Sequence, residues 1–464
     1  MSDHVVAAIA ALGLVLITAT IGAIRRGQPN PVLFHNVAWI GSLGLLALGW
    51  VTYVHVGVEA WFIILAGVLA FNVGALGPSI IELPKVPVVP VRRDMPGGRT
   101  LLPLLFFVGF AWYMKSLSST FGLSTVIAHP SLVRTHQGDS DFITSFSLPG
   151  RLLYSLGPLV FVTHACPWLT DLHITRLRRG SVLIATTVAM ALSLGRTYLF
   201  IAFLWTIACY FVARPEVVVK LKKRLTARRT KLRRRMVMLL GAVVALVTFQ
   251  LLATVLGKTA SNVALVQQYA SGPLRNSSFT SAYVYVTGGI PAFASEVSGS
   301  PPVEGQADPL GKLGWSTFYP AVKLVPEWKV APLVRPFDAI PFPFNAYTWF
   351  DPLYRDFGIP GVIAGPFIFG ALVASLIARR KRTAEGALFV GLMLSLTLFA
   401  PFLSKFNDPA VWDVGLALLV LRIWPRSKAK RTGPPLRTWA QFRKPPPQLV
   451  SSTRELSDSQ PKFL

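Results

Sequence analysis

Apolar runs of about 20 residues recur along this chain, and the loops between them are alternately arginine-rich and charge-poor. A hydrocarbon layer about 30 Å thick takes roughly 20 helical residues to cross, so each run is a candidate span. Lys and Arg beside a span hold their loop on the cytoplasmic side during insertion, and the alternation therefore gives an orientation as well as a count. The predicted fold class is an all-α integral membrane protein with about 11 transmembrane helices and one large outer loop. Candidate spans are 4–24, 36–54, 58–77, 101–118, 152–170, 181–195, 197–213, 236–256, 357–378, 386–403 and 409–424. Composition agrees: 52% of the 464 residues are hydrophobic and 14% charged, against about 25% charged in a soluble domain.

With basic loops inside, the N-terminus is outside and the C-terminus cytoplasmic. Segments 25–35, 78–100, 171–180, 214–235, 379–385 and 422–464 then hold 34 of the 46 Lys and Arg. The same rule divides Ser181 to Ala213, an apolar stretch with strongly basic flanks at Arg176–Arg179 and at 214–235. Only an even number of crossings leaves both flanks inside, so the chain is expected to reverse near Ser193–Thr197. In domain terms, 1–257 and 357–424 form the membrane part and 258–356 an extracytoplasmic loop. Residues 425–464 form a basic, proline-interrupted tail with the composition of a disordered segment.

A net charge of +26 invites a nucleic-acid reading, carried by the run from Lys220 to Arg235. Basic loops that fix orientation and attract anionic headgroups explain the same residues, and no nucleic-acid partner is expected. The first apolar run lacks a basic leader and reads as a span rather than a signal peptide. Cys166 and Cys209 both fall in candidate spans and offer no disulfide framework. No zinc spacing, Walker loop, HExxH or GxSxG occurs, and no internal repeat.

Polar and aromatic residues concentrate instead where the 258–356 loop rejoins the membrane part, from Phe344 through Asn345, Tyr347, Thr348, Trp349, Asp351, Tyr354, Arg355, Asp356 and Gly358 to Gly361. This stretch resembles the oligosaccharide repeat unit polymerases of bacterial surface polysaccharide synthesis, the O-antigen polymerase family. Three further stretches are similar to that family: Gly195-Arg196-Thr197, the Tyr285–Phe293 segment with Gly288, Gly289 and Pro291, and Gly314-Trp315-Ser316-Thr317-Phe318.

The resemblance implies a GT-C-like, metal-independent glycosyltransferase in the bacterial cytoplasmic membrane, with no cofactor. It would join polyprenyl-diphosphate-linked oligosaccharide repeats, as donor and acceptor, on the outer face. Membrane lipid and a chain-length regulator or flippase are the partners it implies. Such a reaction needs cations for the departing diphosphate and a group that orients the incoming hydroxyl. Arg196 is the first candidate for the diphosphate, because an ionisable residue between apolar helices is costly and suggests function. A snorkelling arginine that anchors a short hairpin is the plainer reading of it. Arg355 and Arg275 follow, with Arg151 and Arg335 behind them.

For the base the family pattern points to Asp356, whose carboxylate would equally serve as a cap on the amides of the helix it precedes. Asp351, His129 and His136 are alternatives, and His136 with Asp139 and Asp141 is the one conceivable metal set. Asn345, Thr348 and Tyr354 match the pattern as substrate-binding residues, and Trp315, Trp328 and Trp349 are candidates to stack on sugars. Two rival functions remain open: an O-antigen ligase-like or polyprenyl-phosphate-sugar transferase, and a lipid-linked glycan flippase or transporter.

Overall fold

The computed structural model describes residues 2–24, 31–80, 100–129, 133, 148–166, 169, 174–192, 196–213, 260–277, 279–299, 316–322, 337–378 and 383–423. These are mostly helical: α1 (Asp3–Ile24), α2 (Pro31–Ala47), α3 (Val58–Ile80), α4 (Leu101–Phe121), α5 (Leu123–Ala128), α6 (Leu148–Tyr154), α7 (Gly157–Ala165), α8 (Arg176–Leu192) and α9 (Arg196–Ala213). They continue with α10 (Ala260–Gln268), α11 (Thr280–Thr287), α12 (Gly289–Val297), α13 (Tyr319–Val322), α14 (Asp351–Ala378), α15 (Ala384–Thr397) and α16 (Pro409–Ile423). A two-residue ladder pairs β1 (Asp338–Ala339) with β2 (Pro343–Phe344).

Four of the described helices are long and apolar enough to cross a membrane, within α1, α3, α4 and α14. Their outward faces carry exposed apolar side chains at helical spacing, such as Val5, Ile9, Leu12 and Leu16 on α1 and Phe367, Ile368 and Leu372 on α14. Such a stripe is costly in water and at home in lipid, so the protein is membrane-embedded.

Because lipid tails are as apolar as leucine, helices in a bilayer associate through close packing and hydrogen bonds rather than by escaping water. The seam between α3 and α14 shows the first means. A Cβ at Gly74 would fall on the Phe367 carbonyl, and one at Gly370 on the Phe71 carbonyl, so the two backbones touch where neither has a side chain. Val362 meets Gly67 and Phe367 meets Gly74, so the two helices run in the same direction. The α1–α2 pair shows the second means. Asn36 Nδ2 donates to Thr18 Oγ1 at 2.9 Å, and Asn36 Oδ1 lies 3.1 Å from His35 Nδ1. Trp39 Nε1 donates to His35 Nε2 at 3.1 Å, which leaves the His35 proton on Nδ1 to meet Asn36.

The other half of the bundle packs α4 on α6, α7 on α8 and α9, and α9 on α15. Trp205 Nε1 on α9 donates to the Leu388 carbonyl of α15 at 2.8 Å. Cys166 and Cys209 are buried and form no disulfide.

Several expected spans are redrawn. The 36–54 run is helical only over Pro31–Ala47 and ends before Gly49, whose φ of +64° suits glycine. The connection expected near 55–57 is thus 48–57, and it forms a bridge from Val51 to Ala270 with Thr52 N donating to Tyr269 O. Val51, Tyr53 and Val54 are apolar because they pack on the 266–347 cluster, not because they continue a helix. The 152–170 run breaks at Ser155-Leu156, and Pro158 opens α7. The apolar stretch Ser181–Ala213 is divided as expected into two helices, α8 ending at Leu192 and α9 starting at Arg196; the expected turn residues 193–195 lie outside the described residues. The 386–403 run stops as helix at Thr397, since Phe399, Ala400 and Phe402 are buried in a chain of turns. Spans at 236–256 and the 425–464 tail lie outside the described residues.

Candidate functional site

Segment 258–356 is not a body apart from the helices. α11 and α12 lodge against α2 and α3: Ser42 Oγ donates to Val286 O at 2.7 Å, Tyr283 OH to Leu45 O at 2.6 Å, and Tyr53 OH pairs with Thr287 Oγ1 at 2.6 Å. Burial pushes the Tyr283 phenol up to about 12 and raises that of Tyr53 too, so both remain protonated ties at neutral pH.

From these ties the chain dips into the bundle. Phe342 packs on Tyr53, ahead of α3, while Trp349 packs on Phe71, thirteen residues into α3 and so roughly 20 Å along it. Seven residues of near-extended chain cover that distance at about 3.3 Å each. Trp349 sits among Phe71, Phe369 and Phe406, with ring centroids at 5.8, 5.7 and 6.2 Å, and its amide donates to Ala400 O at 2.9 Å.

The chain then climbs again as the first arm of α14. Gly358, with φ +63° and ψ −153°, turns it back, and the second arm descends beside the first. The fold-back is tight: a Cβ on Gly361 would meet the Leu353 carbonyl, and one on Gly365 the Leu353 side chain. The expected span 357–378 therefore starts earlier, at Asp351, and contains a hairpin. Non-helical backbone at this depth is tolerated only inside protein or along a cavity, because lipid satisfies none of its polar groups. Here α3, α12 and the 398–408 turns cover the buried stretch Ala346–Phe350 and the first arm of α14, while Phe357 and Pro360 beside the Gly358 turn are exposed.

At the top of that hairpin lies the polar centre. Asp356 Oδ1 accepts from Ser316 N at 2.9 Å and Oδ2 from Thr317 N at 2.7 Å. Thr317 Oγ1 donates to Pro352 O at 3.0 Å, and Asn407 Nδ2 to Ser316 O at 3.1 Å. Ser404 Oγ in turn donates to Asn407 Oδ1 at 2.9 Å. Beyond it, Lys405 Nζ donates to Asp408 Oδ2 at 2.8 Å, and Asp408 Oδ1 receives Ala410 N, opening α16. Ser316 Oγ at this centre, and Trp349 Nε1 at the foot of the dip, are buried with no hydrogen-bond partner among the described residues.

The structure brings together some of the expected residues and not others. Thr348, Asp351, Arg355 and Asp356 are buried in one segment, and Asn345 and Tyr354 are half-buried within it. Asp356 is not a cap on its own helix: the amides it holds belong to Ser316 and Thr317, forty residues earlier, because the hairpin places it inside α14 rather than before it. Arg275 is not gathered in; it is exposed at the end of a 3-10 turn, Gly272–Leu274, beside Trp50.

His129 is likewise an exposed residue, at the end of α5. Arg196 is the first residue of α9, four positions before Phe200, which packs on Phe399 and Phe402; its side chain lies outside the described residues. So do Arg134, His136, Asp139, Asp141, Trp315, Trp328 and Arg335.

Sequence reading passed over Asn407, whose signal was a polar pair, Asn407-Asp408, interrupting apolar sequence between two helices. It also passed over the buried His35-Asn36 pair and Asn72, polar residues within candidate spans.

Comparison of the chain with protein-family models, with curated proteins and with solved structures finds no match in any of the three.

Proposed function

We propose that this protein is a GT-C-like membrane glycosyltransferase that polymerises polyprenyl-diphosphate-linked oligosaccharide repeats on the outer face of the bacterial cytoplasmic membrane. One observation supports it most. Stretches that resemble the polymerase family, distant in sequence, meet at one place: Ser316 and Thr317 on Asp356, Phe293 on Phe350 and Tyr354 at 6.1 and 5.6 Å, and Tyr285 on Phe344 at 6.4 Å. Phe200, one turn into α9, packs on Phe399 and Phe402 of the same 398–408 turns at 5.2 and 6.4 Å.

In the reaction, an acceptor hydroxyl attacks the anomeric carbon of the donor as that carbon's bond to the diphosphate oxygen breaks. The hydroxyl proton passes to a base, and the polyprenyl diphosphate leaves with the bonding pair. Arg355 and Arg196 are the cations we assign to the leaving diphosphate, since guanidinium forks match phosphate oxygens and stay charged. Asp356 braces the Ser316–Thr317 turn against the hairpin, and we assign its remaining lone pairs as the acceptor of the proton.

The test is glycan length on a gel, from purified protein supplied with a polyprenyl-diphosphate-linked repeat unit and excess chelator. A ladder is expected, and it is expected to be lost in Arg196→Ala while that variant still inserts. No elongation of the cognate substrate, with movement of it between the leaflets of a vesicle, would replace this reading by a flippase.

A further inference from the structure

We infer that the Ser316 hydroxyl is a binding contact for a neutral, polyhydroxylated ligand, a sugar of the glycan being joined; this rests on the proposed reading of the site. Ser316 is held through both peptide groups that flank its Cα. Its N–H is given to Asp356 and its carbonyl receives Asn407 Nδ2, so the backbone cannot shift without breaking one or the other. The residue is 6% exposed, and its hydroxyl oxygen has no partner among the described residues. Buried hydroxyls are ordinarily satisfied, and one left open in an otherwise bonded turn needs a partner from outside. Thr317, its neighbour, makes the contrast: that hydroxyl is used, on Pro352 O.

The class of ligand follows from what stands beside the hydroxyl. The carboxylate of Asp356 is bound to the amides of Ser316 and Thr317, so a phosphate oxygen brought to Ser316 would meet like charge. A sugar hydroxyl has no such conflict. It accepts from the serine through one lone pair and donates to an acceptor through its own hydrogen, and the serine can do the reverse. Asn407 and the carboxylate supply the mixed donor and acceptor surroundings in which a sugar edge finds partners.

The experiment compares wild type with Ser316→Ala in the ladder assay and in thermal unfolding. The serine makes no described side-chain bond, so its removal should leave the melting temperature unchanged or raised. KM for the lipid-linked acceptor should rise by about tenfold, the loss of one buried hydrogen bond, with kcat little altered. A ladder with unchanged KM overturns the inference and leaves the proposed function standing.

If wild type makes no ladder, the proposed function fails, and the sugar contact is decided by thermal shift with the free repeat-unit oligosaccharide, which carries neither lipid nor phosphate. A shift present in wild type and lost in Ser316→Ala upholds the contact. An equal shift in both, or none in either, overturns it. A shift with inorganic pyrophosphate that depends on Ser316 overturns it as well, in favour of an anion.

Discussion

The α3–α14 seam and the polar centre it borders are a few residues apart and are held by opposite means. At the seam two helices touch through missing side chains, at Gly74 and Gly370, and most of the backbone there is hydrogen-bonded within its own helix. At the centre the backbone of 345–350, 316–317 and 398–408 is not helical, and side chains or distant carbonyls must satisfy it. The difference teaches that the seam is the fixed wall and the centre is the part that depends on it. A non-helical stretch lies this deep only because a rigid, shape-matched pair keeps lipid away from it.

The comparison can be broken most severely at the wall. Gly74→Leu drives a side chain into the Phe367 backbone, and the expected loss is about 3 kcal/mol or more. Size-exclusion of a fluorescent fusion reads it; a sharp peak with wild-type melting would mean that the helices do not rely on this approach.

Next is Asp356→Ala, which leaves the Ser316 and Thr317 amides without an acceptor at an expected cost of about 2–3 kcal/mol. Asp356→Asn retains one acceptor oxygen and should lose about half as much, so equal melting of the two variants would remove the carboxylate from its bracing role.

Thr317→Val deletes one bond, to Pro352 O, at about 1 kcal/mol, and wild-type melting of that variant would assign the whole brace to the carboxylate.

The smallest change has the opposite sign. Asn72 on α3 is 3% exposed, and neither amide atom has a described partner. Asn72→Leu is expected to gain about 1 kcal/mol in thermal unfolding; a loss would reveal a polar partner that the wall requires.

Most of the wall was legible in the sequence and much of the centre was not, for one physical reason. Hydropathy reports whether a residue avoids water, and over Val58–Ile80 or Leu101–Phe121 lipid contact and helix coincide, so the runs end where the helices do to within a few residues. At Val51–Val54 and Phe399–Phe402 the same apolar signal comes from residues packed against protein in turns, and the expected spans 36–54 and 386–403 were drawn past the ends of their helices. The dense stretch from Phe344 to Gly361 stood out by its polar and aromatic content. Its dip, its climb and its reversal at Gly358 depend on partners hundreds of residues away, such as Tyr53 and Phe71, that no local pattern names.

That Trp349 gives its amide to Ala400 also sets an order of events during synthesis. The acceptor is made 51 residues after the donor, which at roughly 5–20 residues per second is a delay of about 3–10 s. Through that interval α3 already exists and α14 is still being made, while the segment destined for their side lacks the last carbonyl it needs. The polar centre is therefore completed only after the 398–408 turns have been made, and a chain terminated after α14 is expected to insert yet never seat Trp349. Protease protection of 345–357 in such truncations would reveal when burial happens.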